Sequence, residues 1–174
     1  HRDPVDKLYV AADLVTATDL TTFVSKLAEL PLRSQPGEIY HYSVAVDVTG
    51  LVIERLSGLP LDEYIDTKSL KPLQMRDIFF EVPTAKRERF VQNHFINPET
   101  GSLFNVDYAP APNGYRKGVA LSDYFDVSLI SGGAGLVSTA MDYARFAEML
   151  RRGGSLDGAR ILSPKSISFM TRNH

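Results

Sequence analysis

Tyr42 is the residue of this sequence whose type and position most directly suggest acid–base chemistry. It belongs to the run PGEIYHYS, residues 36–43, which is followed at once by an apolar segment with helical spacing. A phenol is a poor base near neutrality unless a positive field or a nearby ammonium group favours its ionised form. The start of a helix supplies such a field, whereas no partner lysine is identifiable. If Ser43 caps the helix, Tyr42 is a candidate base; the alternative is that its ring anchors the turn to the core.

The motifs of several other chemistries are absent from the sequence. It contains no Gly-x-Ser-x-Gly elbow, no Gly-x-x-x-x-Gly-Lys phosphate loop and no His-Glu-x-x-His pair. Two of the four histidines stand at the ends, and His41 lies far from His94, so we expect neither a metal site nor a cofactor. Ser43 with His41 is a poor nucleophile pair, because neighbours at that spacing seldom direct their side chains to one acceptor.

A second short motif is rich in glycine. The run SGGAG, residues 131–135, stands before a helical pattern. Backbone donors before a helix attract anions, but the lysine and the spacing of a phosphate loop are missing. We expect a tight backbone turn beside a cleft, with Gly132 and Gly133 contacting the substrate.

The composition is that of an ordinary globular protein. The 174 residues are 44% hydrophobic, which suffices for a single domain over residues 1–174 with a substantial core. The 19 basic and 21 acidic residues are mixed along the chain and give a net charge of −2, which argues against nucleic acid as a partner. No apolar stretch approaches the roughly 20 residues that cross a bilayer, so we expect no membrane partner. The absence of cysteine leaves cytoplasm and periplasm open.

The pattern of elements is rich in helix and predicts an α+β fold. Residues 77–82, DIFFEV, suit a strand, and the stretch from Pro83 to Leu129 predicts long loops with a few short strands. Helices are predicted from Pro4 to Leu14, from a Thr18 cap to Pro31, from Tyr42 to Gly58, over Leu61–Leu70, from a Thr139 cap to Gly153, and from Ser163 onward.

The helix after Tyr42 is the best defined of these elements. Gly50 within it suggests close packing against a neighbour, and Gly58 is placed to end it. We expect its apolar stripe to be the buried face. That stripe comprises Val44, Val48, Leu51, Val52 and Leu56.

Two segments of the sequence resemble a known family of enzymes. The first is LPLRSQPGEIYHYSVAVDVTGLVIERLSGLPLDEYIDTKSLKPLQM, which resembles the segment with the catalytic tyrosine in β-lactamase-like serine hydrolases. The second is SGGAGLVSTAMDYARFAEMLRRGGSLDGARILSP, which looks like a later helical segment of the same group. The group includes class C β-lactamases, DD-peptidases and family VIII carboxylesterases. The joint occurrence of both segments in the expected order is more specific than either segment alone.

The resemblance implies acyl transfer through a serine, with a small-molecule ester or lactam as substrate. In the family, a Ser-x-x-Lys pair begins a buried helix, and its serine attacks the carbonyl while lysine and tyrosine manage the proton. Tyr42 matches that tyrosine. Backbone donors would hold the oxyanion, and a Lys-Thr-Gly-like strand would line the opposite side of the cleft.

The sequence departs from the family pattern at the nucleophile. No serine is followed three residues later by lysine, and there is no Lys-Thr-Gly or His-x-Gly run. We therefore expect the central, mostly helical part of a longer hydrolase, inactive alone, whose parent chain supplies the missing segments. A helical lobe without its sheet would expose an apolar face, and this predicts self-association.

A second departure concerns the substrate. Class C β-lactamases carry asparagine two residues after the tyrosine, where this sequence has Val44. Valine cannot hydrogen-bond an amide substrate, so Val44 favours an esterase over a β-lactamase or DD-peptidase. A further alternative is a non-catalytic binding or scaffold protein of the same fold, in which Tyr42 only packs.

Overall fold

Helices form most of the structure that the computed structural model describes, which comprises residues 4–91, 94–97, 100–105 and 124–173. The α-helices are α1 Pro4–Ala11, α2 Leu20–Ala28, α3 Ala45–Ser57, α4 Leu61–Ile65, α5 Ala140–Arg151 and α6 Pro164–Met170. The 3₁₀ turn Leu14–Thr16 follows α1, and the π-helical turn Asp66–Leu70 continues α4. A longer 3₁₀ segment covers Thr84–Arg89. Within the described ranges, no helix combines the length and the apolar content that a membrane span requires.

The strands within the described ranges are short and form two antiparallel pairs. β1, His94–Ile96, pairs with β2, Leu103–Asn105. β3, Ser155–Leu156, pairs with β4, Ala159–Arg160. The predicted α+β class is confirmed, as are the short strands expected between residues 83 and 129. Residues 92–93, 98–99 and 106–123 of that stretch lie outside the described part of the chain.

The predicted strand over residues 77–82 is wrong. Phe79 forms only an isolated antiparallel bridge with Val137, in which the two residues exchange N–H···O bonds of 3.0 and 2.8 Å. The segment has the alternating burial of a strand, but no described strand runs alongside it to complete a ladder. The side chains that it buries are Ile78, Phe80 and Val82.

Side-chain caps fix where the helices begin. Asp19 accepts the N–H of Thr22 at 2.7 Å and caps α2, so the predicted Thr18 cap is wrong. Thr139 caps α5 as predicted, because its hydroxyl accepts the N–H of Asp142 at 3.2 Å. Both caps supply an acceptor for an N–H group that has no partner within the helix.

The buried face of α3 differs from the prediction. Its buried residues are Asp47 and Gly50, whereas Val52 is 49% exposed and Leu56 is 84% exposed. Val44, Val48 and Leu51 of the predicted stripe are half-buried. The inward face of this helix is therefore small and acidic rather than apolar.

The neighbours of α3 explain why Gly50 faces inward. A Cβ atom on Gly50 would lie 3.0 Å from the side chains of both Leu20 and Leu61, which belong to α2 and α4. These leucines form one buried cluster with Phe80. The predicted close packing at Gly50 is confirmed, and Gly58 ends α3 with a positive φ of 70°.

Candidate active site

A β-turn begins the segment that carries Tyr42. Gly37 has a φ of 86°, which favours glycine, and the N–H of Glu38 donates to the carbonyl oxygen of Gln35 at 3.2 Å. The Glu38 carboxylate in turn accepts the N–H of Gln35 at 3.0 Å. Pro36 and Gly37 therefore form the centre of a turn that is closed from both sides.

Tyr42 lies at the surface shortly before α3. It is 87% exposed, so its phenol is accessible and its ring is not part of the core. The expected Ser43 cap is wrong: Val44 occupies the cap position, and its carbonyl oxygen accepts the N–H of Asp47 at 3.1 Å. A valine side chain offers no acceptor, so the cap residue leaves the positive end of the helix without side-chain compensation. The catalytic role of Tyr42 stays a prediction.

An arginine holds this segment against α1. Nη1 of Arg33 lies 3.1 Å from Oδ1 of Asp6 and 3.3 Å from Nε2 of His41. Since a guanidinium group only donates, Nε2 of His41 is the acceptor and the ring proton lies on Nδ1. The residue next to Tyr42 is thereby fixed to another helix.

The glycine-rich turn lies against the first turn of α3. The Ser131 hydroxyl donates to Oδ1 of Asp47 at 2.5 Å, and the N–H of Gly133 approaches the same oxygen at 3.2 Å. The Ser131 oxygen also accepts the N–H groups of Gly133 and Ala134, at 3.2 and 3.0 Å. The structure thus brings the turn to the helix start that follows Tyr42.

Lack of space requires glycine at both central positions of the turn. A Cβ atom on Gly132 would overlap the carbonyl oxygen of Val46 and lie 3.2 Å from Cα of Asp47. A Cβ atom on Gly133 would lie 2.8 Å from Oδ2 of Asp47. The substrate-binding roles of Gly132, Gly133 and Val44 stay predictions.

Comparison with known proteins identifies the family. The family model described as Beta-lactamase matches residues 3–173. The chain belongs to the Beta-lactamase family. This result confirms the resemblance that the segments around Tyr42 and Gly132 predicted.

The relatives of this Beta-lactamase family chain are longer proteins. Protein Rv1367c from Mycobacterium tuberculosis is 32% identical over 167 residues, which are 96% of this chain and 38% of the relative. Esterase EstB from Burkholderia gladioli is 38% identical over 137 residues, or 76% and 34% of the two chains. The solved structure titled "EstCE1, a hydrolase with promiscuous acyltransferase activity" superposes with a TM-score of 0.72 at 26% identity, over 87% of this chain and 39% of that one. The chain therefore spans less than two fifths of the curated relatives named here.

Two residues that join the site in this Beta-lactamase family chain were not predicted from the sequence. Asp47 and Ser131 connect the tyrosine-bearing helix with the glycine-rich turn across 84 residues of sequence. An acidic residue in the first turn of a helix is a readable signal, because it stabilises the positive helix end. Its distant partner is not readable from local spacing. Within the described ranges, no three acidic or histidine side chains are grouped to hold a metal ion.

A separate open cleft of about 300 Å³ lies beside the 3₁₀ segment. On its wall, the Asp77 carboxylate accepts from Nζ of Lys86 at 2.5 Å and from Nη2 of Arg89 at 3.1 Å. The hydrogen bonds from Lys86 and then Arg89 hold the pKa of the Asp77 carboxyl below its ordinary value. Tyr42 and Gly132 do not line this cleft, and both cations are occupied by Asp77, so the candidate site remains the start of α3.

Proposed function

We propose that this chain carries the proton-transferring tyrosine and one wall of the active site of a serine hydrolase that transfers acyl groups from esters. The observation that supports the proposal is the exposed phenol of Tyr42 before α3, next to the helix turn that holds Ser131 and Gly133. A phenol that a substrate can reach, close to a helix N-terminus, is suited to exchanging a proton.

The proposed reaction has two halves. A serine hydroxyl from a segment outside this chain attacks the ester carbonyl, and its proton passes by way of Tyr42 and a lysine to the departing alkoxide. The alcohol leaves, and the serine oxygen retains the acyl group. Water or another alcohol then attacks the acyl-serine, which releases a carboxylic acid or a new ester and restores the hydroxyl. Backbone N–H groups stabilise the oxyanion in both halves.

Val44 supports an ester rather than a lactam as the substrate. Its side chain can donate no hydrogen bond to an amide, and it lies half-buried at the cap of α3, two residues after the candidate base. Esterase EstB and EstCE1 carry names that point to the same chemistry in those proteins. A β-lactamase or DD-peptidase would need an amide-binding group elsewhere in the cleft.

The experiment compares hydrolysis of p-nitrophenyl butyrate with hydrolysis of a chromogenic cephalosporin by the full-length protein. We expect ester turnover with a burst of p-nitrophenol equal to the enzyme concentration, since an acyl-enzyme forms first. The kcat/KM for the cephalosporin should be lower by about tenfold or more. A folded full-length protein that hydrolyses neither compound would contradict the proposal and support a non-catalytic binding or scaffold role.

A further inference from the structure

Asp47 is one of two buried acidic residues in the described part of the chain. It is 6% exposed, and Oδ1 receives both the hydroxyl of Ser131 and the N–H of Gly133. Hydrogen bonds to a carboxylate are about twice as strong as those between neutral groups. A buried carboxylate that binds two groups from a distant segment holds that segment in place.

The second buried acid, Asp142, provides an internal comparison. Asp47 is the third residue of α3, and Asp142 is the third residue of α5. Each binds a distant backbone N–H: Asp142 accepts that of Asp77 at 2.6 Å, as Asp47 accepts that of Gly133. The two aspartates share a structural device, but only Asp47 lies at the helix start that follows Tyr42.

We propose that Asp47 is a positioning residue for the reaction, acting through Tyr42 and the glycine-rich turn. This inference rests on the proposed function. The bonds from Ser131 and Gly133 fix the turn to α3, and the absence of side chains on Gly132 and Gly133 lets the turn approach the helix backbone. Loss of the Asp47 acceptor releases the turn and lets the start of α3 move with the residues before it.

The size of the effect follows from the geometry that proton transfer demands. A displacement of about 1 Å can cost on the order of 10²-fold in rate, even when it arises away from the reacting atoms. Asp47 touches neither the substrate nor the phenol in this account. Its removal should therefore lower kcat and leave KM nearly unchanged.

The test uses Asp47→Ala, Asp47→Asn and Ser131→Ala in the full-length protein, with p-nitrophenyl butyrate as substrate. Asp47→Ala should lower kcat by about tenfold or more while KM stays within about twofold. Asp47→Asn should recover most of the rate, because its amide oxygen can replace Oδ1 as the acceptor for both groups. Ser131→Ala should also lower kcat, and it remains informative if Asp47→Ala does not fold.

A double-mutant cycle separates positioning from a general loss of structure. If Asp47 acts through Tyr42, adding Asp47→Ala to Tyr42→Phe should change kcat by less than about twofold. Asp142→Ala is the matched control, because it removes the equivalent bond in α5 and should leave kcat within about twofold. Equal losses of rate from Asp47→Ala in both backgrounds would overturn the inference, as would equal losses from Asp47→Asn and Asp47→Ala.

The cycle also distinguishes this inference from the proposed function. Full turnover by Tyr42→Phe would contradict the role of the tyrosine, and the inference would fail with it. Loss of turnover by Tyr42→Phe together with wild-type kcat for Asp47→Ala and Ser131→Ala would overturn the inference alone.

Discussion

Gly132 shows at the scale of single residues how closely the two parts of the candidate site are packed. An added Cβ atom would meet backbone atoms of Val46 and Asp47, which belong to α3 and cannot rotate away. At Gly50, by contrast, the added atom would meet only the flexible ends of Leu20 and Leu61 at 3.0 Å. The two glycines therefore differ in what a methyl group would displace.

The first prediction compares alanine at these two glycines. Gly132→Ala should lower the free energy of unfolding by about 1–3 kcal/mol, because the turn must move away from α3. Gly50→Ala should change it by less than about 1 kcal/mol, since gained helix propensity offsets the crowding of two leucine side chains. Urea denaturation of both variants measures the difference. A larger loss for Gly50→Ala would contradict the packing described at the turn.

Single residues also show what the sequence could predict about the site. The types and spacing of Tyr42, Gly132 and Gly133 were sufficient to select two segments, and the structure brings those segments together. Asp47 and Ser131 were missed because their importance arises from a contact over 84 residues. Local spacing predicts which residues lie on one helix face, but it does not identify the partner of that face.

At the scale of elements, the two ends of α5 are held by different charged groups. At its start, Asp142 binds the N–H of Asp77 at 2.6 Å and thereby fixes the helix to the segment of the Phe79 bridge. Near its end, Glu148 accepts bonds from Arg151 and Arg152, each of 2.6 Å to the guanidinium Nε. The first contact joins distant parts of the chain, whereas the second is local and exposed.

The second prediction concerns the start of α5. Asp142→Ala removes a buried acceptor and leaves the N–H of Asp77 without its partner, which should cost about 1–3 kcal/mol of unfolding free energy. Asp19→Ala removes the exposed cap of α2 and should cost about 1 kcal/mol. Thermal and urea denaturation report both values. Equal stability of Asp142→Ala and the wild type would contradict the described contact.

The third prediction concerns pH and the end of α5. Hydrogen bonds from Arg151 and then Arg152 lower the pKa of Glu148 from 4.5 to about 2. A carboxyl group whose pKa is lower in the folded state stabilises that state above its unfolded pKa, and this contribution is lost as pH falls towards the folded value. The excess stability of the wild type over Glu148→Gln should therefore shrink between pH 4.5 and about 2. Denaturation midpoints across that range measure it, and a difference that grows on acidification would contradict the pairing.

The elements also show where prediction from sequence succeeds. The end of α3 at Gly58 and the cap of α5 at Thr139 were predictable because the responsible groups lie within a few residues. The buried face of α3 and the strand over residues 77–82 were not predictable, because packing partners and strand neighbours come from elsewhere in the chain. Apolar residues such as Val52 therefore lie exposed, and Asp47 lies buried.

At the scale of the whole molecule, exposed apolar side chains on α3 favour association. Leu56 is 84% exposed and Val52 is 49% exposed, and their spacing of one helical turn places them side by side. Exposed apolar patches promote contacts between proteins. The position of this surface is consistent with the self-association that the sequence predicted, which remains a prediction.

The fourth prediction tests that association in the 174-residue chain. Sedimentation velocity should show species larger than the monomer at micromolar concentration, because contact between copies removes apolar surface from water. Leu56→Glu should shift the distribution towards the monomer. A control with Glu in place of Arg55, an exposed residue on the same helix, should not produce the same shift. A purely monomeric wild-type chain would contradict the prediction.

The most direct test of the central claim is the turnover of Tyr42→Phe compared with that of Tyr40→Phe. The two tyrosines are 87% and 88% exposed and lie two residues apart, so each change removes one surface hydroxyl from the same segment. In the full-length protein with p-nitrophenyl butyrate, Tyr42→Phe should lower kcat by about a hundredfold or more, as expected for loss of an acid–base group. Tyr40→Phe should retain wild-type kcat. Wild-type turnover by Tyr42→Phe would contradict the assignment of proton transfer to this phenol.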